Sequence, residues 1–390
     1  MPPTPTEEAL ALAFPGLAPE EVLALREGRA FRLLRGADPT QLRALLSLSD
    51  LEAYLRTDGA RTPRVAMADD SRPGSAAVPP EEYALPDGRV DLPRLFERFD
   101  AGASLVLSQF HESHPPLARF CRALEKFFLH AVQANIYLTP PAAQGFRTHY
   151  DTHDVLVLQV SGRKRWRIWP GEPLPRPTRR TPWQNNLSAS GEPIRLTLTP
   201  GDALYIPRGL MHDAATEPGE HSLHITVGLL EPCWAEVLRR LLEAEELTSP
   251  ALRESVPTWR LAEPDGVAAL GAMMAERLAN LAGPAQAERL SLLLLDQLAQ
   301  DRQPLPARGL FLPPLDPARP LRLADGMHHH VAEGADGSAV LHWTCGHIPL
   351  SAEERGWVAA LAEGAAPAAL GEAALPFIER LRRIGLLEEA

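Results

Sequence analysis

The spacing of apolar residues along the chain changes period twice. Over residues 1–60, "PEEVLALREGRAFRLLRG" and "DPTQLRALLSLSDLEAYLRT" repeat apolar positions at three- and four-residue intervals, with acidic starts and basic or glycine ends. That pattern predicts short amphipathic helices. The polar, Pro/Gly-rich stretch 68–88 predicts loop. "DLPRLFERFDAG" and "HPPLARFCRALEKFFLHA" predict two more helices, the second opening on a proline pair. The period then shortens. "VQANIYLTP", "HDVLVLQVSG", "KRWRIWP", "EPIRLTLTPGDALYIPRG" and "EHSLHITVGLL" are short β-rich runs split by Gly, Pro and Asn, as in a sandwich or barrel. From residue 232 helical spacing returns. Within it "LSLLLLDQLA" is apolar nearly all round, which predicts burial in this chain or in a homodimer. Pro-rich 303–320 reads as a linker. The tail alternates short strands ("RLADGMHHHVAE", "AVLHWTC") with helices ("SAEERGWVAALAEG", "ALPFIERLRRIGLLEE"), as a small separate domain would.

Length and composition narrow the picture. A chain of 390 residues suggests two or three domains. The formal net charge of -11 argues against direct nucleic-acid binding and favours a basic partner. Cys121, Cys233 and Cys345 are an odd, widely spaced set, so no disulfide framework is expected and a reducing compartment is. The N-terminal stretch lacks a basic n-region and long apolar core. No window reaches the ~18–20 apolar residues of a membrane helix. A cytoplasmic protein is the expectation.

Histidines carry the candidate chemistry. "FRTHYDTHD" holds His149, Asp151, His153 and Asp154 at the mouth of a strand. "GDALYIPRGLMHDA" delivers His212 after another strand and a Pro/Gly turn, 61 residues past Asp151. Strand alternation would put His149 and Asp151 on one face. With a returning His212 they can form a facial triad, whose two imidazoles and one carboxylate leave adjacent open positions on Fe(II). A cupin barrel that binds another metal, or none, is equally open at this point. The tail's His328, His329, His330, His342 and His347 lack paired CxxC spacings and are read as not forming a zinc site.

"HYDTHDVLVLQVSGRKRWRIWP", together with "LTPGDALYIPRGLMHDAATEPGEHSLHITVGLL", resembles the JmjC-type ribosomal oxygenases, 2-oxoglutarate- and Fe(II)-dependent protein hydroxylases of the cupin superfamily. The likeness is specific over about 130–232. It implies an α+β protein built on a double-stranded β-helix (a cupin/JmjC jelly roll). The implied order is an N-terminal helical region (1–100), a catalytic core (101–232), a helical dimerisation region (233–310) and a C-terminal winged-helix-like domain (320–390). It implies Fe(II) on His149, Asp151 and His212, and Lys164 paired with the distal carboxylate of 2-oxoglutarate. Asn135 and Tyr137, at i and i+2, and His224 and Thr226, likewise, would face the same pocket. Arg163 and Arg165 would face solvent, opposite Lys164. Trp166 and Trp169 are read as packing and His221 as a surface residue. Three same-face residues of a straight strand spread over roughly 13 Å, so His153 becomes a pocket-wall or substrate-contact candidate and Asp154 structural. The implied activity is hydroxylation of an Arg or His side chain of a protein substrate, such as a basic ribosomal protein, by a homodimer. The alternatives are a peptide hydroxylase with a non-ribosomal substrate, and a non-catalytic metal-binding cupin used as a peptide-binding module.

Overall fold

A computed structural model describes residues 3–171, 174–181, 188–300, 305–334, 337–344 and 346–390. The chain divides into two compact units, Met1–Glu231 and Pro232–Ala390.

The first unit is built on ten strands: β1 (Arg32–Leu34), β2 (Val65–Ala68), β3 (Ser104–Leu107), β4 (Ala131–Thr139), β5 (Asp154–Ser161), β6 (Lys164–Trp169), β7 (Ile194–Leu198), β8 (Ala203–Ile206), β9 (Met211–Thr216) and β10 (Ser222–Leu230). Seven form one sheet in the order β1-β8-β5-β10-β4-β3-β2, and three form a second, β7-β6-β9. Every pairing is antiparallel. This is the α+β, double-stranded jelly-roll arrangement expected. The five β-rich runs all became strands. The N-terminal stretch did not stay helical: its helices form, but β1 and β2 also leave it and join the large sheet. "FRLLRG" is too short for its period to separate a three-residue strand from a helix end.

Alternation on the central strands gives the large sheet two different faces. Val132, Ala134 and Ile136 of β4, and Leu223, Ile225, Val227 and Leu229 of β10, point into the main apolar core. There they meet Leu117, Phe120 and Leu124 of the helix Pro115–Phe128. The other face of the same strands carries Asn135, Tyr137, Thr139, His224 and Thr226 into a pocket. Across from it, Trp166 and Ile168 of β6 pack with Val155, Val157, Leu198, Leu204 and Ile206 in a smaller core between the sheets. β5 is buried along nearly its whole length because both its faces are covered, hence its unbroken apolar run.

The second unit contains the helices Trp234–Glu246, Gly266–Ala279 and Pro284–Gln300. A pair follows, β11 (Leu321–Leu323) with a C-terminal strand, and a meander β12 (His329–Glu333), β13 (Ala339–Trp343), β14 (Gly346–Leu350). Helices Ala352–Ala362 and Leu375–Arg383 cover a core of Leu341, Ile348, Val358, Leu361, Phe377, Ile378 and Leu381. The C-terminal partner of β11 is β15 (Leu387–Glu389). β14 and β15 were not separable from turn or helix in the sequence. No described helix is long and apolar enough to cross a membrane.

Candidate metal centre

His149 precedes β5 and His212 is the second residue of β9, yet the two are hydrogen-bonded backbone to backbone. His149 N–H donates to His212 O at 3.0 Å and His212 N–H returns to His149 O at 2.8 Å. The turn "PRGL" completes the alignment. Gly209, at φ +90°, donates its N–H to the Asp151 carbonyl at 3.0 Å. A Cβ there would stand 3.0 Å from the Leu174 carbonyl, so glycine suits both the left-handed backbone and the close approach. Arg208 N–H donates to Asp154 Oδ1 at 2.9 Å, and the Tyr205 hydroxyl to its Oδ2 at 2.6 Å. Asp154 is therefore structural, as expected: it fixes the turn that launches His212.

One ligand atom from each of His149, Asp151 and His212 lies within 4.8 Å of the other two. His212 Nε2 stands 3.4 Å from Asp151 Oδ2, and the imidazole centroids are 4.6 Å apart. Nδ1 of His149 lies 2.7 Å from the Arg147 carbonyl and Nδ1 of His212 3.0 Å from that of Leu210. The tautomer that satisfies those carbonyls carries its lone pair on Nε2, the form a metal takes. The strand-alternation argument does not extend past His149. Asp151 and His153 lie in an irregular turn between strands, so the H-x-D pair converges through loop geometry rather than pleat.

The charges favour the ligand form at two of the three residues, Asp151 and His149. Burial works to raise the Asp151 carboxyl, but His212, by hydrogen bond and charge, with His149 and His153, holds it well below the usual range. Burial and the neighbouring His212 push His149 down. For His212, burial opposes and the Asp151 carboxylate more than offsets it, so its proton is held more tightly. The next residue, Asp213, is clamped by Arg167 Nε and Nη2, both at 2.7 Å, and accepts from the Thr148 hydroxyl at 2.5 Å.

Lys164 is only 4% exposed. Its ammonium donates to the Thr139 hydroxyl at 2.9 Å, and among the described residues no carboxylate pairs with it. Burial pulls it down to about 7. An ammonium in such a place is costly unless an opposite charge or several hydrogen bonds face it. Arg163 and Arg165 are exposed on the other face and pair with Glu220 and Glu217.

Asn135, Tyr137, His224 and Thr226 all line the pocket. Asn135 Oδ1 accepts from Gln109 N–H at 2.8 Å. Tyr137 stacks on His224, its register partner across β4 and β10, with centroids 5.0 Å apart. Burial, then the nearby Lys164, hold His224 well below its ordinary value. Its Nδ1 is buried, with no hydrogen-bond partner among the described residues. His153 also lines the pocket, against Gly228, where a Cβ would stand 2.8 Å from its Nε2. His221 is at the surface, stacked on Phe99. Trp169 packs with Tyr150 and Met211.

Trp166, read as packing, does pack in the core between the sheets, and it also walls the pocket between His212 and His224; its Nε1 is buried, with no hydrogen-bond partner among the described residues. It shares its face of β6 with Lys164 by strand alternation. Thr139 escaped notice, although "NIYLT" continues the Asn135, Tyr137 alternation to it.

Residues 106–237 match the JmjC domain family. Among curated proteins, the chain is 34% identical over 233 residues to the bifunctional lysine-specific demethylase and histidyl-hydroxylase NO66 of Aedes aegypti, covering 58% of this chain and 36% of that protein. It is 37% identical over 182 residues to the NO66 of Dictyostelium discoideum, covering 44% of this chain and 35% of that one. The chain thus spans about a third of the length of these relatives. Among solved structures it resembles YcfD, a ribosomal oxygenase from Escherichia coli, with a TM-score of 0.54 at 19% identity over 96% of this chain and 98% of that one. A structure of YcfD in complex with cobalt and 2-oxoglutarate aligns with a TM-score of 0.54 at 18% identity over the same shares of the two chains.

Proposed function

From the JmjC-domain match over residues 106–237 and the fold shared with YcfD, we propose that this chain is a 2-oxoglutarate- and Fe(II)-dependent oxygenase that hydroxylates a histidine or arginine side chain of a protein. The observation that carries the reading is the convergence of His149, Asp151 and His212 in the same pocket as a buried lysine with no carboxylate partner among the described residues.

In this reading His149, Asp151 and His212 hold the iron. Lys164 binds the distal carboxylate of 2-oxoglutarate, with Thr139 orienting its ammonium. Asn135, Tyr137, Thr226 and His224 form the polar wall around the cosubstrate. When bound, iron and 2-oxoglutarate supply oxidative decarboxylation coupled to insertion of one oxygen atom of O₂ into a C–H bond. The chain's own part is positional. Asp151 stays anionic, the imidazoles keep lone pairs on Nε2, and Trp166 and Tyr137 limit water in the pocket. No side chain is required as a general acid or base.

A net charge of -11 favours a basic protein substrate, as a ribosomal protein is. We read 101–232 as the catalytic core, following an N-terminal region of 1–100. We read 233–310 as a dimerisation region, because Trp234, Leu238 and Leu242 make an exposed apolar stripe at four-residue spacing, with Trp259, Leu261, Val267 and Met274 exposed nearby. Leu292–Leu295 are only half-buried in the single chain. Residues 320–390, with their small meander and helices, are read as a winged-helix-like docking domain. A cytoplasmic setting is consistent with the scarcity and wide spacing of cysteine in the chain.

The test is mass spectrometry of basic ribosomal proteins and peptide libraries incubated with enzyme, Fe(II) and 2-oxoglutarate. A mass gain of about 16 Da, the insertion of one oxygen, that needs all three components supports the reading and identifies the residue. Equal gain without 2-oxoglutarate, or none across proteins and libraries, contradicts it.

A further inference from the structure

The tail histidines, set aside above for want of cysteines, meet in space. His330 of β12 and His342 of β13 are register partners, and His342 is in turn paired with His347 of β14. Directly opposed residues of an antiparallel pair project side chains side by side, so three strands make a histidine ladder. The ring centroids are 4.9 Å apart for His330 and His342, and 5.8 Å for His342 and His347. The helix Pro284–Gln300 lays Asp296 against the first two. Its Oδ1 is 3.1 Å from His342 Nδ1 and 3.3 Å from His330 Nε2.

We propose that Asp296, His330 and His342 form a second divalent-metal site, of the Zn(II) class, separate from the pocket residues His149, Asp151 and His212. Their ligand atoms all lie within 4.8 Å of one another. Zn–N and Zn–O bonds of about 2.0–2.2 Å set the edge of a tetrahedral ligand set at roughly 3.3 Å, which the two Asp296 spacings match. A hydrogen-bonded cluster accounts for the geometry less well. His330 Nε2 is buried and makes no acceptable hydrogen bond despite facing the carboxylate. A single carboxylate oxygen serves both rings. Two borderline imidazole donors and one carboxylate suit zinc, and the fourth position is left for solvent or the exposed His347. Such an ion would cross-link the helix Pro284–Gln300 to the β12–β13 hairpin, a structural role.

The experiment is a Zn(II) titration of tag-free, full-length protein against a chromophoric chelator, with thermal unfolding in parallel. Wild type is expected to bind two equivalents. The variant His149→Ala/Asp151→Ala should retain one, and Zn(II) should still raise its melting temperature. Adding His342→Ala, or the isosteric Asp296→Asn that preserves packing, should weaken that remaining equivalent at least tenfold. In an otherwise wild-type background, both substitutions should leave 2-oxoglutarate turnover unchanged. A wild type that binds no Zn(II) beyond the equivalent lost in His149→Ala/Asp151→Ala overturns the proposal. So does a second equivalent whose affinity is the same in His342→Ala. Failure of the first equivalent alone would count against the oxygenase reading and leave this one standing.

Discussion

Removing an ammonium from water costs several kcal/mol unless an opposite charge or several hydrogen bonds face it, and Lys164 has one hydroxyl. If a 2-oxoglutarate carboxylate is its missing partner, Lys164→Ala should raise the dissociation constant for 2-oxoglutarate by about 30-fold or more, the usual loss on truncating one side of a buried charge pair. Calorimetry on cobalt-loaded protein measures it. Lys164→Arg should not rescue, because a planar fork does not replace a point charge in a closed pocket. The pH dependence follows in sign. In the free protein Lys164 is held near 7, below its ordinary value, and the anion binds the protonated form. Affinity should therefore be flat below about pH 7 and fall by about tenfold per unit above it. A flat profile to pH 9 would remove Lys164 from this role. These residues were unequally legible. His149, Asp151 and His212 stand in short patterns that survive in a single sequence. Lys164 stood out through the resemblance, while its partner Thr139 and the wall residue Trp166 lay one alternation step further, at i+2 from Tyr137 and from Lys164.

The short turn between β5 and β6, which carries the chain from one sheet to the other, decides where Lys164 sits. It passes through Gly162 at φ +65°, where an added Cβ would fall 1.7 Å from the His221 carbonyl oxygen. Left-handed backbone alone costs a side chain about 1–2 kcal/mol, and a contact with backbone cannot be relieved by a rotamer. Gly162→Ala should lower the urea midpoint and, in the protein that still folds, weaken 2-oxoglutarate binding before it affects metal binding. An unchanged midpoint would mean that the turn moves freely and does not set the lysine. At this scale the sequence was most readable where elements were long or doubly covered. β5 follows from the apolar run Val155–Leu158, β10 from its alternation of apolar with other residues, and the helix Pro115–Phe128 from its period and opening prolines. β1, β2 and β14 are three to five residues long, too short for a period to register, and the partners of β1 and β2, which are β8 and β3, lie far along the chain.

For the whole chain, the exposed stripe Trp234, Leu238 and Leu242 predicts association. Leu238→Asp combined with Trp259→Asp should convert a dimer into a monomer by sedimentation equilibrium, while the jelly-roll unit remains folded by circular dichroism. A wild type that sediments as a monomer at micromolar concentration would rule out the dimer. Contacts of this order were the least legible in the sequence. Composition indicated an apolar helical region but not which residues remain uncovered, and no spacing placed Asp296 beside His330 and His342. The central claim concerns the pocket, and one measurement tests it most directly: Fe(II)-dependent conversion of 2-oxoglutarate to succinate by the purified full chain, beside its Asp151→Ala variant. Loss of the carboxylate ligand should lower turnover at least ~100-fold, beyond the range seen when groups that only support a ligand are removed. Turnover in Asp151→Ala equal to wild type, or none in wild type loaded with iron and given a basic protein substrate, would contradict the account.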